Sequence, residues 1–530
     1  MSFVSFDFYV FLAILFAVYF IIPKKYQWVI LLIGSYIFYA YADIKMMGFL
    51  VITTISIFIA GLALDKSHKN QESLFTDKDS GWLKENKKSF IQQFAKERKR
   101  ILLIVLFVNL GILGSLKYSS FVVNNLNPFL NNFEYGLLPE LDLLLPLGIS
   151  FYTFQSLGYL IDVYRGKYSA DRNLGKFALF TSFFPQLVQG PISRHDQLAN
   201  QLTQPHSFDY ENFKFGLQRM LWGFFKKLVI ADRAAMLVNS VMPNYTEYAG
   251  FEIGFTVLVF MIQVYADFSG GIDIALGVAQ CLGINLVENF QRPFFATGIS
   301  DYWKRWHITL GSWMKDYLLY PMTFSKWFGR FNKWCRKHMG LYFGKILPTS
   351  LAMAIVFLAV GVWHGPEWKY VAFGFYNGGL IIIGILLSGP LQKVKARYPW
   401  FTIENILIRI LAILGTTFLV FIGKYFAIAA TVPQAIELLV STFSVFNPRD
   451  FMGTFLEKAK FVRFDLIVLS GSLIVLFIVG LMQEMGIRVR EWVAQKPIVL
   501  RWTVYYILIF TILILGVRSL EGAIFAYQRF

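Results

Sequence analysis

The sequence predicts an all-α protein that crosses a lipid bilayer many times. Three observations support this fold class: 56% of the 530 residues are hydrophobic, only 16% are charged, and the apolar residues occur in long runs. A soluble domain carries about 25% charged residues and could not bury so much apolar surface. We therefore expect lipid to surround most of the chain.

Thirteen apolar stretches predict roughly 11 to 13 membrane segments, because about 20 residues at 1.5 Å per residue cross the hydrocarbon core. The first stretch lacks a basic segment before it and a small-residue cleavage site after it, so we interpret it as a span and not as a signal peptide. Helix breakers such as Pro146 and Pro185 predict re-entrant or broken helices, with ordinary kinked spans as the alternative. The stretches are residues 8–22, 26–42, 46–64, 101–118, 144–163, 176–192, 213–242, 253–284, 347–363, 369–388, 404–430, 464–482 and 502–517.

The distribution of charge predicts the orientation of the chain. Residues 65–100 contain ten Lys and Arg residues, whereas residues 119–145 contain none. The positive-inside rule then predicts that 65–100 is a cytoplasmic basic loop and that 119–145 lies outside. Because the net charge of +17 comes from segments between apolar runs, we expect no nucleic-acid partner. Two cysteines far apart in sequence predict neither a disulfide framework nor a metal site.

Residues 300–316 predict a single amphipathic helix that lies in the membrane interface. Apolar and aromatic residues recur there at helical spacing, with Lys304, Arg305 and Ser312 on the other faces. The apolar stripe consists of Trp303, Trp306, His307, Leu310, Trp313 and Met314. The surrounding basic segment, 285–345, also predicts a cytoplasmic position, where its charges would bind anionic lipid or the phosphates of a donor.

Two histidines are candidates for chemistry. His307 lies on the apolar stripe, and His364 ends an apolar stretch directly before Gly365 and Pro366. Ionisable groups close to hydrocarbon are costly and usually mark a site, and we expect apolar surroundings to keep the His364 imidazole neutral and able to accept a proton. A hydrogen-bonded structural role is the alternative for each. Other polar groups in apolar stretches, such as Asp267, have ion pairing or packing as their alternative.

Five motifs occur in the order found in one enzyme family. They are Phe184–Pro191, Tyr265–Gly271, Glu288–Pro293, Ser300–Asp316 and Trp363–Gly365. From the amino terminus to about residue 390 the sequence resembles bacterial membrane-bound O-acyltransferases. Within that family it is most similar to alginate O-acetyltransferase membrane subunits and more distantly to D-alanyl transfer proteins of teichoic acids.

The apolar runs predict one membrane domain, residues 1–530, and only further spans at 400–530, where the resemblance is poor. The resemblance implies helices around a central funnel, with a catalytic core at 140–390. It implies His364 as the catalytic histidine and His307 as the second conserved one. Asn377 stands where many members have histidine. The residues implied to bind the donor or line the site are Tyr265, Asp267, Asn289, Arg292, Trp303, Arg305, Trp306, Ser312, Trp313, Trp363 and Asn377.

The function implied is transfer of an acyl group, acetyl first, from acetyl-CoA or another cytoplasmic thioester. The acceptor would be a hydroxyl of an extracytoplasmic polysaccharide, a cell-wall polymer or an SGNH-type relay partner at the bacterial plasma membrane. No bound cofactor is expected. Two alternatives stay open: D-alanyl-type transfer from a carrier protein, and a transporter or flippase of an envelope precursor. Transporters often contain two similar halves, which this sequence does not show.

Overall fold

The computed structural model describes residues 1–76, 80–133, 137–139, 143–445 and 454–517. Across these residues the secondary structure is helical, and the described chain contains one isolated bridge, between Phe290 and Trp306, in place of any strand. The predicted all-α class is therefore confirmed. Contacts divide the chain into two compact units, residues 1–214 with 278–287 and residues 215–277 with 288–530.

The described part of the first unit contains eight complete helices. They are α1 (Phe6–Ile21), α2 (Gln27–Ala42), α3 (Met47–Thr76), α4 (Ser80–Asn132), α5 (Ile149–Tyr164), α6 (Leu174–Ser182), α7 (Phe184–Leu187) and α8 (His195–Thr203), with a 3-10 turn at Lys24–Tyr26. Two helices contribute residues to both units: α9 (Tyr210–Phe224) and α11 (Phe251–Cys281).

The second unit contains the remaining helices. They are α10 (Asp232–Val241), α12 (Ile299–Arg305), α13 (Ile308–Met314), α14 (Tyr320–Thr323), α15 (Lys326–His364), α16 (Trp368–Arg397), α17 (Ile406–Ile428), α18 (Val432–Ser444), α19 (Leu456–Lys458), α20 (Arg463–Glu484), α21 (Val489–Ala494) and α22 (Ile498–Leu515). Its described residues also include π-helical segments at Phe225–Ala231 and Lys315–Leu319 and 3-10 segments at Met242–Glu247 and Pro293–Phe295.

Among the described helices, eight are long and apolar enough to cross a membrane: α3, α4, α11, α15, α16, α17, α20 and α22. This confirms the multi-pass prediction. Eight is fewer than the segments predicted from the sequence, because several apolar stretches form shorter helices. The stretch 176–192, for example, forms α6 and α7 with a break at Phe183, as its prolines predict.

The basic segment 65–100, which we predicted as a cytoplasmic loop between spans, is helical over its described residues. α3 runs on to Thr76 and α4 begins at Ser80, because the Lys, Glu, Gln and Ala residues of this segment favour helix and no proline interrupts them. Polar contacts join the two helices: Ser67 Oγ donates to Glu97 at 3.2 Å, and Arg98 donates to Gln71 at 2.8 Å. The cytoplasmic position of this hairpin stays a prediction.

A tight helical hairpin, α15 and α16, positions the candidate site. The two helices touch at glycines: a Cβ on Gly361 would lie 2.4 Å from the Tyr370 carbonyl oxygen, and one on Gly374 would lie 2.6 Å from that of Phe357. Small residues allow membrane helices to approach this closely. α12 packs against α16 and α17, so these elements meet around one cavity.

Candidate active site

His364 is the last residue of α15, as its position before Gly365 and Pro366 predicts. Its ring contacts those of Phe373 and Tyr370 on α16, with centroid separations of 5.6 and 6.1 Å. The helix end and the first turns of α16 thus hold the imidazole between aromatic side chains. This packing holds the ring in an apolar setting.

The His364 side chain lines a cavity of about 40 Å³ within the second unit. Aromatic side chains dominate the wall, and two polar side chains besides His364 reach it, Asn377 from α16 and Lys424 from α17. The remaining lining residues are Phe260, Val264, Tyr302, Trp303, Trp306, Tyr370, Phe373, Val420 and Ala427. Such a mostly apolar cavity with a few convergent polar groups is typical of a small-molecule site.

Residues 300–316 do not form the single helix that we predicted. α12 ends at Arg305, His307 adopts left-handed backbone angles (φ 46°, ψ 53°), and α13 begins at Ile308. The competing interaction is a backbone pairing with 289–291: the Gln291 N–H donates to the Arg305 carbonyl at 2.9 Å, and the Ile308 N–H donates to that of Asn289 at 3.0 Å. These bonds replace helical ones and turn the His307 side chain inward.

Asn289 determines which nitrogen of His307 carries the proton. Its Oδ1 accepts from the Thr309 N–H at 3.1 Å, and a backbone N–H can only donate. The His307 Nδ1, 3.2 Å from the same oxygen, must therefore donate as well. The proton lies on Nδ1, and Nε2 keeps a lone pair. Burial lowers the pKa of His307 well below its usual value, and the nearby His364 acts in the same direction, so the ring is neutral near pH 7.

Trp363 lies between the two histidines. Its ring centroid is 5.6 Å from that of His307 and 5.2 Å from that of His364. His307 is only 2% exposed and is not among the cavity-lining residues, whereas His364 is. The two histidines therefore occupy different positions: one faces the cavity, and the other supports the wall behind it.

Several other predicted site residues lie away from the cavity wall. Asp267 forms a buried ion pair with Lys227 at 2.7 Å, which matches the structural alternative for this residue. Tyr265 packs on Phe294 with ring centroids 5.1 Å apart. On α13, the Ser312 hydroxyl donates to the Thr309 carbonyl at 2.9 Å, and Trp313 packs on Tyr317 at 5.2 Å.

Three arginines converge on Glu484, the last residue of α20. Arg292 Nε, Arg305 Nη1 and Arg409 Nη2 lie 2.7, 3.1 and 3.4 Å from its carboxylate oxygens. Arg292 and Arg305 were predicted from the sequence as donor-binding residues. Their shared carboxylate and the third arginine were missed, because α20 is distant in sequence and its apolar run predicts only a span.

The sequence analysis also missed Lys424. A lysine inside the apolar stretch 404–430 is a signal that could have identified it, since ionisable residues in membrane segments usually face a protein interior or a cavity. A second polar group at the cavity is the Trp303 indole N–H, which is buried and has no acceptor among the described residues.

Comparison with known proteins identifies the family. Residues 169–422 match the sequence model of the membrane-bound O-acyltransferase family. The probable alginate O-acetylase AlgI of Pseudomonas putida is 32% identical over 373 residues, which cover 70% of this chain and 67% of that protein. The chain belongs to the membrane-bound O-acyltransferase family. The predicted resemblance is thereby confirmed.

Other relatives within this O-acyltransferase family have different named activities. The peptidoglycan O-acetyltransferase of Helicobacter pylori is 29% identical over 397 residues, 70% of this chain and 66% of its own length. The teichoic acid D-alanyltransferase of Bacillus subtilis is 27% identical over 294 residues, 54% and 69% of the two chains. These names confirm acyl transfer as the enzyme class. The chain spans about two thirds of the length of the alginate O-acetylases, 63 to 67%.

Proposed function

We propose that this protein transfers an acetyl group from a cytoplasmic thioester, acetyl-CoA, to a hydroxyl group on the outer side of the bacterial plasma membrane. The acceptor is a polysaccharide, a cell-wall polymer or an extracytoplasmic relay protein of the SGNH type. One observation carries the proposal: His364 ends a membrane helix and faces an aromatic cavity, held by Tyr370 and Phe373. A neutral imidazole in this position is a suitable general base for a hydroxyl group.

The reaction in this proposal is a direct transfer. His364 takes the hydroxyl proton while the acceptor oxygen attacks the thioester carbonyl carbon, forming a C–O bond and a tetrahedral intermediate. The intermediate collapses, the C–S bond breaks, and the proton passes from His364 to the leaving sulfur. The products are an O-acetyl ester and a thiol. Ser and Cys nucleophiles have no part in the scheme.

The groups around His364 orient the reactants. Trp303 lines the same cavity as His364 and contributes its ring to the wall against which the reactants would pack. His307 acts indirectly: it packs on Trp363, the residue before His364, and Asn289 holds it in one tautomer. We therefore assign His364 to proton transfer and His307 to positioning.

The charges near Glu484 support a phosphate-bearing donor. Three arginines share this carboxylate, and the cluster's other carboxylate, Asp301, pairs with Arg305 at 3.1 Å. Three cations against two anions leave positive charge, which attracts the phosphates of CoA.

D-alanyl transfer from a carrier protein is the alternative within the same class. The match to the named alginate and peptidoglycan acetyltransferases covers 70% of this chain, against 54% for the B. subtilis D-alanyltransferase, which favours acetyl. Competition between acetyl-CoA and a D-alanyl carrier-protein thioester for the purified protein separates the two. A transporter would turn over neither donor.

The deciding experiment substitutes His364 in the full-length protein. His364→Gln keeps a polar side chain of similar size but cannot relay a proton at neutral pH, so we expect kcat to fall by about 10²–10⁴-fold with little change in donor binding. His364→Ala should behave alike, and His307→Ala should be less severe. His338→Gln is the matched control, because His338 lies exposed on the same helix. Normal turnover by a folded His364→Gln protein would remove His364 from the mechanism.

A further inference from the structure

Lys424 is a buried cation in the cavity that the scheme above does not use. It lies near the end of α17, is 7% exposed, and lines the same cavity as His364. Its Nζ lies 4.8 Å from the centroid of the Trp306 ring, in the geometry of a cation–π contact. The indole face thus holds the ammonium group at the cavity wall.

The surroundings of Lys424 differ from those of ordinary membrane lysines. A lysine near the end of a span usually extends its side chain to the aqueous interface, where the ammonium group is exposed. Here the side chain stays buried among aromatic rings, and no carboxylate of the described residues forms an ion pair with it. Keeping a cation in such a place is costly, so its presence indicates a negative charge that the reaction itself brings.

The substrates of the proposed reaction suggest which charge this is. The acyl group of a thioester and the hydroxyl of an acceptor are both neutral where they react. Negative charge develops at the carbonyl oxygen as the acceptor attacks, and an apolar wall strengthens its attraction to a cation. A permanent anion would instead lose its hydration on entering this cavity, at a high cost.

We infer that the Lys424 ammonium stabilises the anionic oxygen of the tetrahedral intermediate, opposite the base His364. This inference rests on the proposed acyl transfer. In the step concerned, the acceptor oxygen forms its bond to the carbonyl carbon, and the π electron pair moves onto the carbonyl oxygen, which Lys424 contacts. His364 holds the hydroxyl proton. The pair returns as the C–S bond breaks, and the proton leaves with the thiol.

The test compares kcat and KM of full-length variants in lipid nanodiscs. The donor is acetyl-CoA, and the acceptor is the envelope polysaccharide fraction of the same cells. Lys424→Met keeps the length of the side chain but removes the charge, so we expect kcat to fall about 10²–10³-fold, as for loss of an oxyanion donor, with KM for acetyl-CoA within about threefold. A Lys424→Met protein whose kcat stays within about tenfold of wild type overturns the inference, whatever its KM.

Chemical rescue distinguishes an effect of the lost charge from an effect of impaired folding. Alkylation of Lys424→Cys with 2-bromoethylamine restores an ammonium group at nearly the same distance from the backbone, and the native cysteines are 2% and 0% exposed. We expect modification, confirmed by mass spectrometry, to raise kcat of the cysteine variant at least about tenfold towards wild type. A fully modified protein that gains no activity contradicts the role of the cation.

The matched control is Lys117→Met, which removes another buried lysine, 8% exposed, from the membrane-spanning helix α4. It should retain wild-type kcat. The outcomes also separate the two proposals. A wild-type protein that transfers no acetyl group to polysaccharide, to cell-wall polymer or to an SGNH-type relay protein rejects the proposed function, whereas an active wild type with an equally active Lys424→Met variant rejects only the inference about Lys424.

Discussion

At the scale of single residues, one amide oxygen organises the inner part of the site. Asn289 Oδ1 accepts from the His307 ring, the Thr309 N–H and the Thr309 hydroxyl, the last at 2.9 Å. These bonds stabilise both the left-handed backbone at His307 and its Nδ1–H tautomer. Because buried donors are costly without an acceptor, the conformation of His307 depends on Asn289.

Asn289→Ala should therefore reduce activity although Asn289 does not line the cavity. The substitution leaves the His307 and Thr309 N–H groups without their acceptor, at a cost of about 1–3 kcal/mol each in stability. We expect a lower unfolding temperature and a kcat reduced at least about tenfold, because His307 no longer positions Trp363. Steady-state kinetics and thermal unfolding measure both. The control is Asn285→Ala, which replaces an exposed asparagine nearby in sequence. A folded Asn289→Ala protein with normal kcat would show that Asn289 does not contribute to the reaction.

The sequence predicts residues of the site where the signal is local. His364 could be predicted because the apolar run and the Gly-Pro break lie beside it in the chain. Lys424 was missed although a cation inside the apolar stretch 404–430 was a local signal, and only its partner, the Trp306 ring, shows where it lies. Glu484 was missed because its partners are three arginines. Each partner is far away in sequence, and no periodicity encodes it.

At the scale of elements, the approach of α15 and α16 sets the width of the cavity. Gly361→Ala should be strongly disruptive, because its Cβ would lie 2.4 Å from the Tyr370 carbonyl oxygen and the backbone there cannot rotate away as a side chain would. Separation of the helices would move His364 relative to Asn377. We expect little folded protein, or folded protein with kcat reduced at least about tenfold, measured by size-exclusion yield and turnover.

Gly379→Ala on α16 is the matched control for this prediction. A Cβ there would have open space around it, and alanine favours helix over glycine by about 1 kcal/mol. Its yield and turnover should equal those of wild type. Equal behaviour of Gly361→Ala would mean that the two helices can separate without affecting the site.

Helical periodicity predicted most elements correctly and failed where another interaction was stronger. Residues 300–316 have a continuous helical pattern, yet the pairing with 289–291 interrupts it at His307. In the segment 65–100, whose charges predict only a cytoplasmic connection between spans, good helix formers extend α3 and α4 through the described residues. The spacing of apolar residues indicates helix propensity, but hydrogen bonds to residues distant in sequence can prevent the helix from forming.

At the scale of the whole molecule, the charge asymmetry predicts that the basic ends of α3 and α4 lie in the cytoplasm. α4 allows a direct test, because Ser89 and Asn131 are both exposed on this single helix. At 1.5 Å per residue they are separated by about 63 Å, more than twice the thickness of the hydrocarbon core. They must therefore face opposite sides of the membrane.

We expect an impermeant thiol reagent to label Asn131→Cys but not Ser89→Cys in intact cells, and to label both after the cells are opened. The unmodified chain gives the background, which should be low because Cys281 and Cys335 are buried. The reverse pattern, with Ser89→Cys labelled from outside, would contradict the predicted orientation of α4.

Because the site residues are far apart along the chain, they are synthesised and inserted at different times. α15 and α16 are separated by only Gly365, Pro366 and Glu367, so little entropy is lost when they pair. The histidine and its aromatic neighbours are thus in place early. Lys424 follows about 60 residues later, which takes roughly 3–12 s at ribosomal rates of about 5–20 residues per second. Until α17 is inserted, the nascent protein holds its base but lacks its cation, and an unfinished chain would leave the thioester pool of the cell intact.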